Sequence, residues 1–244
     1  MKRAFVWVLT ACFIILVSAS LWAQTPAITT GAGYKTMLEE LTAAFRAQGG
    51  IIEEMYGGHI GQMVAQIAQG SGATMVVSDR ATLEAVAGGV EFEEFVPLGD
   101  TVLVLAFRKG IDLKTPEDLT GGDIKRVAYP DAQAAIYGRA AAAFLKSSGL
   151  DTKLGDRLSQ VSSVPQVMAY IISGEIEAGF VNRVAAQNNA GKIGGSLEIT
   201  SGYPPINMVL AVVKGHMTEP AVADFVKFMG TQTAKDILKK NGVF

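Results

Sequence analysis

The chain has 244 residues, of which 49% are hydrophobic and 18% charged, and its formal net charge is −2. This is enough apolar material to form one large domain or two smaller lobes with sizeable cores. The sequence contains no run of Lys or Arg, so a nucleic-acid partner is not expected.

The first residues are typical of a targeting segment. Lys2 and Arg3 give a positive start, residues 4–19 form an apolar stretch, and Ala23 is the small residue that a cleavage site requires. A membrane anchor is the alternative, but the apolar stretch is short for a span and no basic stop-transfer segment follows it. We therefore expect residues 1–23 to be a cleaved signal peptide and the mature protein to be periplasmic.

Cys12 is the only cysteine of the chain. Cleavage after Ala23 would remove it, so disulfides and thiolate chemistry are not expected in the mature protein. Cleavage would also lower the count of Lys and Arg from 21 to 19 against 23 acidic residues, which gives a net charge of −4. A negative protein can still bind an anion, because backbone N–H groups set the field at contact range.

The first third of the chain alternates predicted strands and helices. The predicted order is a strand at 27–30, a helix at 34–48, a strand at 51–56, a helix at 63–69 and a buried strand at 74–78. Gly49 and Gly70 end the two helices. This alternation predicts a mostly parallel sheet with helices on its faces.

The middle of the chain repeats the alternation between two long β-type runs, at 101–107 and 208–213. Between these runs we predict a short capped helix at 113–119, a strand at 125–129, helices at 135–147 and 166–172, and a strand at 177–181. Helices at 219–228 and 233–240 finish the chain.

The two long runs are predicted to be the strands at which the chain crosses between two lobes. Lobe I would comprise residues 24–100 and 207–244, and lobe II residues 101–206. The predicted fold class is therefore α/β with two lobes, each a mostly parallel sheet flanked by helices, and with a cleft between them.

Four strand-to-helix turns are predicted to face this cleft. They are residues 29–33, 57–62, 129–134 and 162–165. A turn that opens a helix leaves N–H groups free to bind an anion, and the helix dipole favours negative charge there. A single turn of this kind is more often only a connection, so the prediction of an anion site depends on all four.

The chain after residue 23 resembles the periplasmic molybdate-binding proteins of ABC importers. Residues 66–73 resemble the Q-I-x-x-G-A-P-A segment of that family, residues 134–138 its A-G-x-Y-A turn, and residues 173–181 its G-E-A-D-A-G-I-V strand. The resemblance implies the type II fold of periplasmic binding proteins and a molybdate- or tungstate-like oxyanion as ligand. It also implies an ABC permease and its ATPase as partners, and a monomer without a cofactor.

The implied ligand site departs from the family pattern at three positions. Gly33 and Ile60 stand where the family has ligand serines, and Asn182 stands where it has a closing tyrosine. The backbone donors near Ala134 and Val164 are carried over. The lost hydroxyls favour an anion other than, or larger than, molybdate, with molybdate or tungstate itself as the alternative.

Two side chains beside the turns are candidates to replace the lost donors. Tyr34 could donate its hydroxyl or only anchor the start of its helix. His59 could bind an oxyanion or be a solvated loop residue, and a histidine without a cluster of Cys or carboxylates is a poor metal site. The candidate binding residues are Gly33, Tyr34, His59, Ile60, Ala134, Val164 and Asn182.

Further charged residues lie close to the predicted turns. Arg139 and Arg183 are candidates for additional positive charges at the cleft, whereas Asp79 is expected to be a turn or helix-cap residue.

The predicted function is capture of a small anion by the substrate-binding protein of an ABC importer. The alternative is a ligand sensor or partner-protein module that binds a small organic anion on the same scaffold. An enzyme is not expected, because the mature chain offers no Cys nucleophile and no recognisable Ser–His–Asp arrangement. Adjacent carboxylates such as Glu53 and Glu54 would point to opposite faces of a strand.

Overall fold

The computed structural model describes residues 25–133 and 135–244, which form ten β-strands and nine α-helices. The strands are β1 Ala27–Thr30, β2 Glu53–Tyr56, β3 Ala73–Asp79, β4 Phe92–Thr101, β5 Leu103–Phe107, β6 Val127–Pro130, β7 Leu158–Val161, β8 Ala178–Asn182, β9 Gly195–Ile199 and β10 Ile206–Val213. The helices are α1 Lys35–Ala47, α2 Ile60–Ala68, α3 Arg80–Val86, α4 Ile136–Ser148, α5 Leu150–Leu154, α6 Val164–Ser173, α7 Arg183–Asn188, α8 Pro220–Met229 and α9 Gln232–Lys240. The predicted signal peptide lies outside the described residues.

The strands form two five-stranded sheets, in the orders β2-β1-β3-β10-β4 and β7-β6-β8-β5-β9. The first three strands of each order are parallel, and the fourth, β10 or β5, is antiparallel to both neighbours. The prediction of an α/β fold with two lobes on mostly parallel sheets is confirmed. We call the part built on the first sheet the first lobe, and the part built on the second sheet the second lobe.

The chain passes between the sheets at two places. The predicted run at 101–107 is not one strand, because Thr101 ends β4 in the first sheet and Leu103 begins β5 in the second. The chain returns through residues 200–205, between β9 and β10. The backbone N–H of Leu103 donates to the hydroxyl of Tyr203 at 2.9 Å, which ties the two crossings together. The lobe boundaries drawn from the sequence stay a prediction.

Both sheets are covered by helices on their faces. β3 and β5 are buried along their whole length, as expected for central strands between two layers of helix. In the first lobe α1 buries Met37, Leu38 and Leu41, and the ring of Phe45 meets that of Phe225 edge-on with centroids 5.1 Å apart. No helix within the described ranges is long and apolar enough to cross a membrane.

Asp79 ends β3 and caps α3, as the sequence predicts. One carboxylate oxygen accepts the N–H of Thr82 at 3.1 Å, whereas the other is buried and finds no partner among the described residues. Burial raises the pKa of Asp79 above its ordinary 3.8, and the charge of Arg139 opposes this shift. The carboxylate is therefore held in an environment that favours its neutral form.

We expect Asp79→Asn to be more stable than the wild type at pH 7, by on the order of 1 kcal/mol, because asparagine keeps the cap and removes a buried charge. The pKa of Asp79 is higher in the folded protein than in the unfolded chain, so protonation of Asp79 stabilises the fold. This stabilisation is fully present below pH 3.8. It is lost as pH rises through the raised value. Urea unfolding of the wild type and D79N at pH 4, 6 and 8 measures the free energy of unfolding and its pH dependence. The exposed Asp123→Asn is the control, and equal pH dependence in D79N and wild type would contradict the expectation.

Candidate functional site

Turns from both lobes line a small, partly open cavity between the two sheets. The first lobe contributes the 3₁₀ turn Ala32–Tyr34 and the start of α2, and the second lobe contributes the starts of α4 and α6. The cavity has a volume of about 30 Å³, which is room for about two waters. In this arrangement the space suits a compact ion, and a larger ligand requires the lobes to move apart.

The structure brings most of the predicted binding residues to this cavity. Five of the seven line it, namely Gly33, Tyr34, His59, Ile60 and Val164. Asn182 is not among the lining residues, but its Nδ2 donates to the carbonyl of Gly33 at 2.8 Å and so joins the two lobes. Ala134 lies outside the described residues, and its neighbour Ala135 lines the cavity. Ligand contact by these residues stays a prediction.

Two lining residues with hydroxyl groups were missed in the sequence. Tyr137 is the second residue of α4, and Ser163 precedes α6 at its N-cap position. The Ser163 side chain makes no capping hydrogen bond to its helix, so its hydroxyl remains available to the cavity. Tyr137 lies within the segment 134–138 and Ser163 within the predicted turn 162–165. Their position in these two segments was the feature of the sequence from which a role in the site could have been predicted.

Helix starts give the cavity its electrostatic character. α2, α4 and α6 all begin at its wall, and each N-terminus carries a partial positive charge. Among the described residues, no backbone acceptor is paired with the N–H of Ile60 or of Val164. The lining includes no Lys, Arg, Asp or Glu among those residues. An anion at this place would therefore be held by N–H and O–H dipoles rather than by a counter-charge.

His59 has a structural role that the sequence did not predict. α2 begins at Ile60, three residues earlier than predicted, and His59 is its N-cap. The Nδ1 atom of His59 accepts the N–H of Gln62 at 3.3 Å. Since Nδ1 is an acceptor, the neutral ring carries its proton on Nε2. The half-buried ring thus keeps one N–H donor that the cap does not use.

Tyr34 and Tyr137 meet between the lobes. Their hydroxyls are hydrogen-bonded to each other, and the Tyr137 hydroxyl lies 3.1 Å from Oγ1 of Thr101. Burial raises the pKa of Tyr34 to about 12 and that of Tyr137 well above its ordinary value. Both side chains are therefore neutral hydroxyls at physiological pH.

The two arginines predicted as additional charges do not line this cavity. Arg139 lines a separate cavity of about 290 Å³ together with Asp79. Arg183 pairs with Glu198 at 2.7 Å, and its guanidinium lies 4.5 Å from the ring centroid of Phe244. Arg183 thus contacts Glu198 of the second lobe and the C-terminal residue Phe244, and not the cavity.

This fold and cleft define a class of protein that binds a solute between two lobes. Residues 27–243 match the profile of the bacterial extracellular solute-binding proteins, and the chain belongs to this family. The family is one of binding proteins, in agreement with the expectation that the chain is not an enzyme.

Proteins that bind molybdate or sulfate are among those similar to this chain. The molybdate-binding protein ModA of Rhodobacter capsulatus is 28% identical over 218 residues, which cover 86% of this chain and 84% of ModA. The structure of the periplasmic molybdate-binding protein of Azotobacter vinelandii matches with a TM-score of 0.78 at 24% identity, over 90% of this chain and 98% of that one. The sulfate-binding protein SubI of Mycobacterium tuberculosis H37Rv matches with a TM-score of 0.71 at 17% identity, over 90% and 85%. The resemblance to molybdate-binding proteins is confirmed.

Proposed function

We propose that the protein captures a compact oxyanion of the molybdate or tungstate class between its lobes and delivers it to an ABC permease and its ATPase. The observation that carries this proposal is the cavity between the lobes, at which three helix N-termini and two hydrogen-bonded tyrosines meet. Its wall is mostly apolar, has no charged side chain within the described residues, and offers hydroxyl and backbone N–H groups as its polar part. Such a site favours an anion over a cation or a neutral solute.

The number of donors is sufficient for useful affinity. Tyr34, Tyr137 and Ser163 supply O–H groups, and Ile60 and Val164 supply backbone N–H groups. A hydrogen bond to a charged group contributes about 1.5–3 kcal/mol, and a micromolar Kd corresponds to about −8 kcal/mol. A few such hydrogen bonds, less the cost of desolvating the ion, bring the Kd for an oxyanion into the micromolar range or below.

The importer role and the periplasmic location draw support from the family and from the sequence. The matched family is described as extracellular, and the relative from A. vinelandii as periplasmic. Residues 1–23 have the charge and hydrophobicity of a signal peptide. An oxyanion held between two lobes would bind the closed arrangement better than an open one and would shift the population toward closure.

Calorimetry on residues 24–244 tests the ligand. The protein is first unfolded, dialysed and refolded, and it is then titrated with sodium molybdate, tungstate, sulfate and phosphate at fixed pH. We expect molybdate or tungstate to bind at one site per chain with a Kd in the micromolar range or lower. Absence of heat with all four, together with a neutral or cationic solute in native mass spectra of the freshly purified protein, would refute the proposal.

A further inference from the structure

Two adjacent residues of the second lobe contact the first lobe. Asn182 ends β8, and Arg183 begins α7. The Nδ2 atom of Asn182 donates to the carbonyl of Gly33 at 2.8 Å, and Gly33 belongs to the turn that lines the cavity. The Cζ atom of Arg183 lies 4.5 Å from the ring centroid of Phe244. The start of α7 therefore reaches both the binding turn and a separate aromatic residue of the first lobe.

The backbone of Phe244 is fixed to the first lobe. Its N–H donates to the carbonyl of Asp100 in β4 at 2.9 Å, and its carbonyl accepts the N–H of Asp100 at 2.8 Å. The preceding residue, Val243, is 1% exposed and its N–H donates to the carbonyl of Leu238 in α9 at 3.0 Å. Phe244 itself is 58% exposed. Its ring thus lies at the surface of the first lobe and outside the core, where it meets Arg183.

The side chain of Arg183 is held in the second lobe by Glu198 of β9. Its Nε and Nη2 atoms lie 2.7 Å from the two carboxylate oxygens of Glu198. A guanidinium paired in this planar way keeps its flat face free to stack on an aromatic ring. A Cβ at Gly242 would lie 3.3 Å from the Cβ of Arg183, so the first lobe packs closely along this side chain.

The contact between Arg183 and Phe244 joins the two lobes. An arginine within about 6 Å of a ring centroid is attracted to the ring. Since Arg183 directly follows Asn182, an opening movement that separates Asn182 from Gly33 should also carry Arg183 away from Phe244. A contact that is stronger in the closed form than in an open one shifts the population toward the closed form.

We propose that Arg183 and Phe244 form a clasp between the lobes that favours the closed form and so increases the affinity for the ligand. Neither residue lines the cavity, so both are positioning residues and do not contact the ligand. The Kd falls as the binding-competent form becomes more populated. The effect on affinity rests on the proposed function, whereas the clasp itself does not depend on which ligand is bound.

The variants Phe244→Leu and Arg183→Gln test the clasp, because each removes one partner of the contact. We expect each to weaken binding of molybdate or tungstate by about 3- to 10-fold in calorimetry. The double variant F244L/R183Q should bind no more weakly than the weaker of the two single variants, since all three lose the same contact. Simple addition of the two losses would overturn the inference.

Two further variants are the controls. Phe244→Tyr keeps an aromatic ring at the same place, so its affinity should stay within about twofold of wild type. Ile51→Ala removes another surface apolar side chain of the first lobe, which is 64% exposed and lies shortly before the outer strand β2. Its affinity should also stay within about twofold. Loss of affinity in F244Y equal to that in F244L would contradict a role of the aromatic ring.

The distance between the lobes provides a readout that needs no ligand. Cys12 is the only cysteine, so a protein of residues 24–244 can be spin-labelled at introduced cysteines alone. Ala85→Cys on α3 and Lys153→Cys on α5 place labels at exposed positions of the two lobes. Pulsed electron paramagnetic resonance then measures the distance between the labels. Without ligand, we expect the distance distribution of F244L to contain a larger open fraction than that of the wild type.

Saturating sodium tungstate should return F244L to the wild-type distance, because the ligand stabilises the closed form in both proteins. A variant with a damaged fold would not regain this distance, and thermal melting checks the fold independently. Equal affinities and equal distances in wild type, F244L and R183Q would overturn the inference and leave the proposed function intact. If the wild type binds none of the oxyanions, the proposed function fails, and the distances without ligand still decide whether the clasp exists.

Discussion

The Gly138→Ala variant is expected to lose about 3 kcal/mol of stability, at the upper end of the range for overpacking. Gly138 lies in the first turn of α4. A Cβ at this position would stand 1.9 Å from the carbonyl oxygen of Asp131 and 2.6 Å from that of Pro130. Both are backbone atoms where β6 ends and the turn to α4 begins. Removing the steric clash therefore requires this turn to move away from the helix. The same turn borders the cavity, and binding should weaken together with stability.

Urea denaturation at neutral pH measures this effect, and Gly122→Ala is its matched control. A Cβ at Gly122 meets no atom within 4 Å, so this variant should stay within about 0.5 kcal/mol of wild type. With a total stability of about 5–15 kcal/mol for proteins in general, the loss in G138A would be a large fraction of the whole. An unfolding midpoint for G138A equal to that of G122A would show that the turn yields easily.

Replacing Gly33 by serine is expected to tighten oxyanion binding by about tenfold or more. A Cβ at Gly33 would lie 3.5 Å from Nδ2 of Asn182 and 3.7 Å from Val164, which are ordinary contact distances. The backbone of Gly33 is not in the left-handed region, so serine is accepted without strain. The added hydroxyl would restore a donor that the resembling family has here. One hydrogen bond to a charged group is worth about 1.5–3 kcal/mol, or 10- to 100-fold.

Gly33→Ala separates the hydroxyl from the added volume. Alanine places the same Cβ at the cavity wall without a donor, so G33A should bind molybdate no more tightly than wild type. Calorimetry on the three proteins under one buffer condition makes the comparison. If G33S binds no better than G33A, the position does not face the ligand, and the implied correspondence with the family serine is wrong.

The parts of the fold that the sequence predicts are those with strong hydrophobic periodicity. The helix predicted at 34–48 is observed as the 3₁₀ turn Ala32–Tyr34 followed by α1, Lys35–Ala47. The strand predicted at 74–78 is observed as Ala73–Asp79, buried throughout. In both segments burial on a regular repeat produces the pattern that the sequence shows.

The strands that were missed lie at the edges of the sheets. β4, β7 and β9 are each an outer strand, and each is largely exposed or half-buried. An edge strand tolerates charges and proline, as with Pro97 in β4, so its composition is that of a loop. The break between β4 and β5 at Val102 was not predicted either. Thr101 and all five residues of β5 are buried, so the sequence on both sides of the break has the pattern of one continuous strand.

The candidate site was predictable where it depends on local turn chemistry. Gly33, His59 and Val164 belong to turns whose glycine, cap and proline patterns are visible in the sequence. The contact between Asn182 and Gly33 joins residues 149 positions apart, and it follows from how the lobes meet. The bond between the hydroxyls of Tyr34 and Tyr137 has the same origin. Contacts between lobes depend on the packing of both sheets, which no local pattern encodes.

Anomalous diffraction from crystals grown with sodium tungstate shows whether the oxyanion binds between the lobes. Tungsten scatters anomalously, so its position is found independently of any assumption about the site. We expect one dominant anomalous peak per chain, in the cavity bounded by Gly33, Ile60, Tyr137 and Val164. A dominant peak elsewhere on the chain, or none in this cavity at saturating tungstate, would contradict it.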